Sequence, residues 1–415
     1  MSDPDTLGEL LLACSIEAIG AHGLDDISLR SIALAAGCST TAIIQRFKNK
    51  AGLLDAALAF ALTREAQFHD DFSRQLDGLP FSYANFSELI AAYVEQRANL
   101  TIARFWSEVL FKSSQIHKAG AELERWLALR VNFWERQLAN PAMAKSFLPH
   151  LIAIYSAMEE VYAHELANNV QYKLLLRETT KALLANSFGV GESAGNGDLS
   201  LWLNKGSARF QSSQEMAVND LGETLVELAA DDILAHGVGS LSQRRLAKRA
   251  GTSSSMIVYH FGNMANFVNQ AVWHALLRDI PKELDPNFNE SVGVKQKNMS
   301  EWATVLQRLT RPKVDHRPAG FYVDYARLTG QACLLATRRR ELWPLVEHLR
   351  KIDGWGTFRA GQTVWPTSLL VERGSATAFA VWIKGQAVFN EAVCDGEPIP
   401  REALLSAARL IFSSQ

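Results

Sequence analysis

Thr40, Thr41, Gln45 and Arg46 share the outer face of a short stretch, TTAIIQRF, whose inner face carries Ile43 and Phe47. Hydroxyls, a carboxamide and a guanidinium are the groups that read base edges in the major groove of DNA. The surrounding charge fits the same chemistry. From Ser28 to Lys50 there are four basic residues, Arg30, Arg46, Lys48 and Lys50, and no acidic one, in a chain of formal net charge −2. Such a local excess is the footprint of a phosphate-facing surface, although the chain as a whole is no general polyanion binder.

The same text recurs 214 residues later: AHGLDDISLRSIALAAGCSTTAIIQRFKNKA aligns without a gap to AHGVGSLSQRRLAKRAGTSSSMIVYHFGNMA. Identical pairs include Gly23/Gly237, Ser28/Ser242, Arg30/Arg244, Gly37/Gly251, Ser39/Ser253, Ile43/Ile257, Phe47/Phe261 and Asn49/Asn263. On the outer face of the second copy stand Ser254, Ser255, Tyr259 and His260. Its cations are Arg244, Arg245, Lys248 and Arg249, again with no acidic residue from Ser242 to Met264. A period above 200 residues is too long for a solenoid and indicates two copies of a whole domain.

The elements that must hold these residues follow from local signals. LGELLLACSIEAIGAHG reads as a helix with an inward stripe of Leu11, Leu12, Ser15, Ile16 and Ile19, ended by Gly23. Ser28 caps the next short helix, Gly37 permits a tight turn, and Ser39 caps the third helix over the anchors Ile43 and Phe47. Asn49 caps a fourth helix that starts at Lys50. Two short helices joined by a glycine-containing turn make a helix-turn-helix, whose second helix enters the major groove by its N-terminal end. The rest of each half keeps helical periodicity, as in FLPHLIAIYSAMEEVYAHELA and PREALLSAARLIFSS, and strand signals are scarce. The fold class is all-α. Residues 188–214, rich in Gly and Ser, read as a flexible linker, with Trp202 and Phe210 as the places where part of it docks.

Other function classes find little support. Four cysteines without a C-x-x-C pair suit reduced thiols of a cytoplasmic protein. The acidic start MSDPDTLGEL has no basic stretch followed by an apolar core, so no secretory signal is expected. No apolar run reaches the roughly 18–20 residues of a membrane span. No H-E-x-x-H, phosphate-binding glycine loop or G-x-S-x-G motif occurs, so the chain reads as no enzyme, with no metal or cofactor. His117, His150 and His348 read as surface or satisfied core residues, and TRRRELW, 337–343, as a basic helix end.

At these residues the chain resembles the TetR family of bacterial transcriptional regulators. FKNKA with Lys50 is the most specific part of the likeness in the first copy, and YHF in the second. Two departures stand out: Ile44 and Val258 occupy the place of the family's phosphate-contacting Tyr, and the lysine kept as Lys50 becomes Met264. The resemblance implies two tandem halves. Residues 1–65 form the first helix-turn-helix domain and 66–187 the first helical regulatory and dimerisation domain. Residues 215–280 and 281–415 repeat them beyond the linker. Family members pair through a four-helix bundle of their last helices, so residues about 146–187 are expected against about 366–413, as a monomeric pseudo-dimer. Arg30, Ser39, Thr40, Thr41, Gln45, Arg46, Lys48, Lys50, Arg244, Arg245, Lys248, Ser253, Ser254, Ser255, Tyr259 and His260 are the residues expected at a double-stranded DNA operator with unlike half-sites. By the same analogy Phe105, Trp106, Trp126, Trp134, Tyr155, Tyr322, Tyr325, Trp343 and Trp382 are candidates to line a pocket for a small hydrophobic or aromatic effector that releases a repressor. The location implied is the cytoplasm, at the bacterial nucleoid. Two alternatives stay open: a second copy that has ceased to bind DNA, and a helical ligand- or protein-binding sensor that binds none.

Overall fold

The computed structural model describes residues 4–79, 81–138, 140–190, 197–202, 220–281, 284, 298–314, 318–361, 365–394 and 396–414. The first half contains α1 (Pro4–His22), α2 (Leu29–Ala35), α3 (Thr40–Phe47), α4 (Lys50–Gln75) and α5 (Tyr83–Ala98). It continues with α6 (Thr101–Phe111), α7 (Ala119–Gln137), α8 (Pro141–Ala144), α9 (Leu148–Leu166) and α10 (Val170–Leu184). The second half contains α11 (Asp220–His236), α12 (Gln243–Arg249), α13 (Ser254–Phe261), α14 (Met264–Leu277) and α15 (Met299–Leu309). Then come α16 (Phe321–Ala336), α17 (Trp343–Ile352), α18 (Trp355–Gly361), α19 (Arg373–Val393) and α20 (Arg401–Ile411). The fold is all-α. Among the described residues one two-residue ladder, Leu369–Leu370 against Ser413–Ser414, is the sole strand pairing.

The 214-residue offset holds in the backbone: α2 and α12, like α3 and α13, start and end at equivalent residues, and α4 and α14 start together. Gly23 and Gly237 both take φ 86°, and Gly37 and Gly251 both φ 65°. Only glycine adopts that left-handed region without cost, which is why these glycines recur when their neighbours change.

Helices α9, α10, α19 and α20 pack together as a four-helix bundle. α9 is buried on every face from Leu151 to His164, and α19 from Arg373 to Asn390. Such helices must satisfy neighbours all round. Gly385 allows their close crossing: a Cβ there would lie 2.8 Å from Ile154 Cγ2. α9 also carries two adjacent buried carboxylates. Consecutive helical residues point about 100° apart, so they cannot serve one partner. Glu160 turns into the first half, to Arg97 (3.2 Å) and Arg130 (2.5 Å). Glu159 turns across the seam, accepting from Arg350 Nη2 at 2.6 Å and Nε at 3.1 Å. One turn on, Tyr162 donates to Asp353 of the second half at 2.7 Å.

Two expectations about the connections need correcting. Most of the linker lies outside the described residues, Phe210 included. Its described part, 197–202, is anchored by Glu178, which accepts from the backbone N–H groups of Leu199 and Ser200 and from the Ser200 hydroxyl. Trp202 is 62% exposed and is not the anchor. The basic run 337–343 is more than a solvated helix end. Arg338 crosses to the first half and pairs with the buried Glu108 of α6.

Candidate nucleic-acid interface

In the first unit the caps form as the residue types dictate. Ser28 accepts from Ser31 N–H in a capping box, Ser39 accepts from Ala42 N–H at 3.2 Å, and Asn49 accepts from Gly52 N–H at 2.8 Å. These bonds satisfy N–H groups that a helix start otherwise leaves unpaired. Ile43 is fully buried and pins α3 to the core, while Thr41, Gln45, Lys48 and Arg30 are exposed and Thr40 is half-buried. Lys48 closes α3 at φ 69°, and the equivalent position in the second unit is Gly262, at φ 76°. A positive φ costs a lysine more than a glycine, so the first unit keeps a cation there at some conformational expense.

Residues 11–57 match the family model described as bacterial regulatory proteins, tetR family. This segment is similar to the helix-turn-helix of that family. The match supports a DNA-binding transcriptional regulator. No curated protein matches the chain. No helix among the described residues is long and apolar enough to cross a membrane.

Around the matched segment two of the expected cations, though exposed, also make contacts within the unit. Lys50 donates to the carbonyl of Ile27 at 2.9 Å, so it clamps the loop between α1 and α2. The Arg46 side chain lies on Gly8 of α1, where a Cβ would come within 3.0 Å of Nε. Leu34, by contrast, projects from α2 with 82% exposure, an apolar residue where the second unit has Lys248.

The second unit repeats the frame with different surface chemistry. Ile257 and Phe261 are buried; Arg244, Lys248, Ser255 and Ser253 are exposed, and Tyr259 is 78% exposed. His260 and Ser254 are half-buried. Ser253 stands at the N-cap but makes no cap hydrogen bond; its Oγ lies 2.7 Å from Ser255 Oγ. The cap inferred from the repeat is therefore not formed. The local charge also needs revision. Asp232, on α11 and outside the acid-free stretch, pairs with Arg245 at 3.0 Å and with Arg249. Of the four cations, Arg244 and Lys248 carry no such pairing among the described ion pairs.

Each three-helix unit is fastened to its own half at the residue after the positive-φ glycine. Leu24 N–H donates to Glu108 of α6 at 3.3 Å, and the equivalent Val238 N–H donates to Gln331 of α16 at 3.2 Å. On the first side the joint is ionic. Glu108 also meets Lys112 at 3.2 Å and Arg338, and Lys112 holds Asp25 at 2.6 Å. Sequence reading missed Glu108, Gln331 and Asp232, since all lie outside the repeated text.

Of the nine aromatic pocket candidates, Tyr322 and Tyr325 line a cavity of about 80 Å³ between α14, α16, α18 and α19. The other seven line neither it nor a polar cleft of about 540 Å³ beside α6, α11 and α16. Trp106 stacks on Trp126 (5.3 Å) and Phe105 packs edge-on to Trp106; Trp126 stacks on Phe389, Trp134 meets Tyr93 edge-on, and Trp382 meets Phe379. Tyr155 hydrogen-bonds Thr179 at 2.8 Å, and Trp343 donates to the Glu165 carbonyl at 3.4 Å. In these helices an aromatic at core spacing is core.

Proposed function

We propose that the chain is a DNA-binding transcriptional repressor that performs within one molecule what a symmetric pair of subunits performs elsewhere. On this reading residues 1–65 and 215–280 are two readers, 66–187 and 281–415 are two helical regulatory domains, and 188–214 joins them. The observation that carries the reading is the repetition, at an offset of 214, of the bounds of α2 and α3 in α12 and α13 and of the glycine dihedrals, with unlike outer faces. The bundle of α9, α10, α19 and α20 supports a monomeric pseudo-dimer. Two-fold proteins match palindromes because of their own symmetry. With Thr41, Gln45 and Lys48 facing one half-site and Ser255, Tyr259 and Lys248 the other, the operator is a pair of unlike half-sites. The cavity at Tyr322 and Tyr325 is the seat of a small effector whose binding releases the DNA. The chain acts in the bacterial cytoplasm, at the nucleoid.

Selection of binding sites from random duplex DNA tests this. Two different half-sites at fixed spacing are expected, protected by one chain. A perfectly palindromic consensus overturns it. A second reading draws on Asp232, which occupies Arg245 and Arg249, and on Met264 in place of the lysine. In that reading the second unit only orients the first. It predicts one half-site and no effect of Tyr259→Ala on affinity, whereas two working readers predict loss on Gln45→Ala and on Tyr259→Ala alike.

A further inference from the structure

The effector cavity has one charged pair in an otherwise apolar wall, and that pair is already complete. Leu277, Ile280, Phe321, Ile352, Trp355 and Ala380 form the wall. Lys384 and Asp353 also line it, each only 1–2% exposed at the side chain. Lys384 Nζ donates to Asp353 Oδ1 at 2.7 Å, to Oδ2 at 2.6 Å and to Tyr162 Oη at 2.7 Å, which uses all three of its protons. Tyr162 in turn donates to Asp353.

We propose that this cavity takes a small uncharged molecule made of an apolar ring or short chain with one hydroxyl, such as a phenol. The proposal rests on the effector reading of the cavity and names the ligand's class. A carboxylate brought beside the pair meets Asp353 as closely as Lys384, and an ammonium meets the reverse. Either loses its hydration without gaining a net counter-charge. A hydroxyl both donates and accepts, and the wall offers it partners. Tyr322 Oη is buried beside Thr357, the hydroxyl it interacts with, and has no further hydrogen-bond partner among the described residues. Thr357 itself lines the cavity and is buried. The size sets a limit too. About 80 Å³ is less than the roughly 150 Å³ of a cavity that takes benzene. Phe321 and Trp355 in the wall stay partly exposed, so the space opens to the surface and a single ring need not be wholly enclosed by it.

The experiment is a titration of the full chain with phenol, toluene, benzoate and benzylamine, read by thermal shift and by tryptophan fluorescence. Phenol is expected to bind best, with benzoate and benzylamine weaker by roughly ten-fold or more. Tyr322→Phe and Thr357→Val leave the ion pair in place and are expected to erase the preference of phenol over toluene. Tightest binding of benzoate or benzylamine overturns the class and leaves the effector site standing. Retention of the phenol preference in both variants overturns the hydroxyl's assigned partners. Binding of none of the four removes the effector reading of this cavity together with the class.

Discussion

Gln45 of α3 and Tyr259 of α13 stand at equivalent positions, and their chemistry differs in kind. A carboxamide reads an adenine edge, and an exposed phenol supplies stacking area and a single hydroxyl. Gln45→Ala is expected to cost about 1–3 kcal/mol on the preferred half-site and to relax its sequence at one position, measured by competition gel shift. Lys48→Ala should weaken all sequences alike and lower the salt slope of binding by about one. Asp232→Asn should do the opposite in the second unit. Freeing Arg245 and Arg249 from their carboxylate tightens non-specific binding and steepens the slope, and an unchanged slope would show that those cations do not reach phosphate. What was legible here and what was not follows one rule. Ser28, Ser39, Asn49, Gly37 and Ile43 act within their own turn, so the sequence displays them. The pairing of Asp232 with Arg245, the clamp of Lys50 on Ile27 and the seat of Arg46 on Gly8 depend on how α1 or α11 lies over the next helices, which no local pattern encodes.

The helix that governs the assembly is α9, and its two glutamates divide its duties. Glu159→Ala leaves Arg350 buried without its carboxylate, which should destabilise the chain by about 3–5 kcal/mol in urea unfolding. Replacing the pair together, Glu159→Leu with Arg350→Met, should recover most of that loss, because the cost lies in the stranded charge. The crossing of α6 and α16 is equally specific. A Cβ at Gly330 would run into the Phe111 ring, so Gly330→Ala is expected to disturb the seam, whereas Gly78→Ala, in open space, costs only its backbone strain. The helical content of these regions was legible, since periodicity reports it, whereas the pairing of the last helices was expected only from the family resemblance. Which aromatics would face a cavity was not. Trp106, Trp126 and Trp134 lie on amphipathic helices just as Tyr322 and Tyr325 do, and only the packing of other helices separates core from wall.

Acid should loosen the molecule as a whole. Burial, the largest influence, holds His69 down to about 2, with Arg97 and Arg130 adding to it. Burial likewise lowers His150, His164 and His348 to about 4. A histidine whose folded pKa lies below its unfolded value near 6.5 takes up its proton first in the unfolded chain. Stability is therefore flat above that pH and falls beneath it, by up to about 1.4 kcal/mol per pH unit for each such residue. Midpoints of thermal unfolding should be level from pH 7 to 8.5 and drop between 6.5 and 5; a profile that rises on acidification would contradict the neutral assignment. The midpoint at neutral pH should also be independent of protein concentration, unlike that of a pair of separate subunits.

The ion pair of Glu159 with Arg350 joins two halves that are translated together. In a regulator built from exchangeable subunits, a damaged copy made in the same cell enters mixed pairs and disables intact partners. On the proposed reading each chain holds its own counterpart, so a defective version is not expected to pair with a sound one. Damage to one gene copy is then expected to be recessive, and either recognition helix is free to change its target without altering the other.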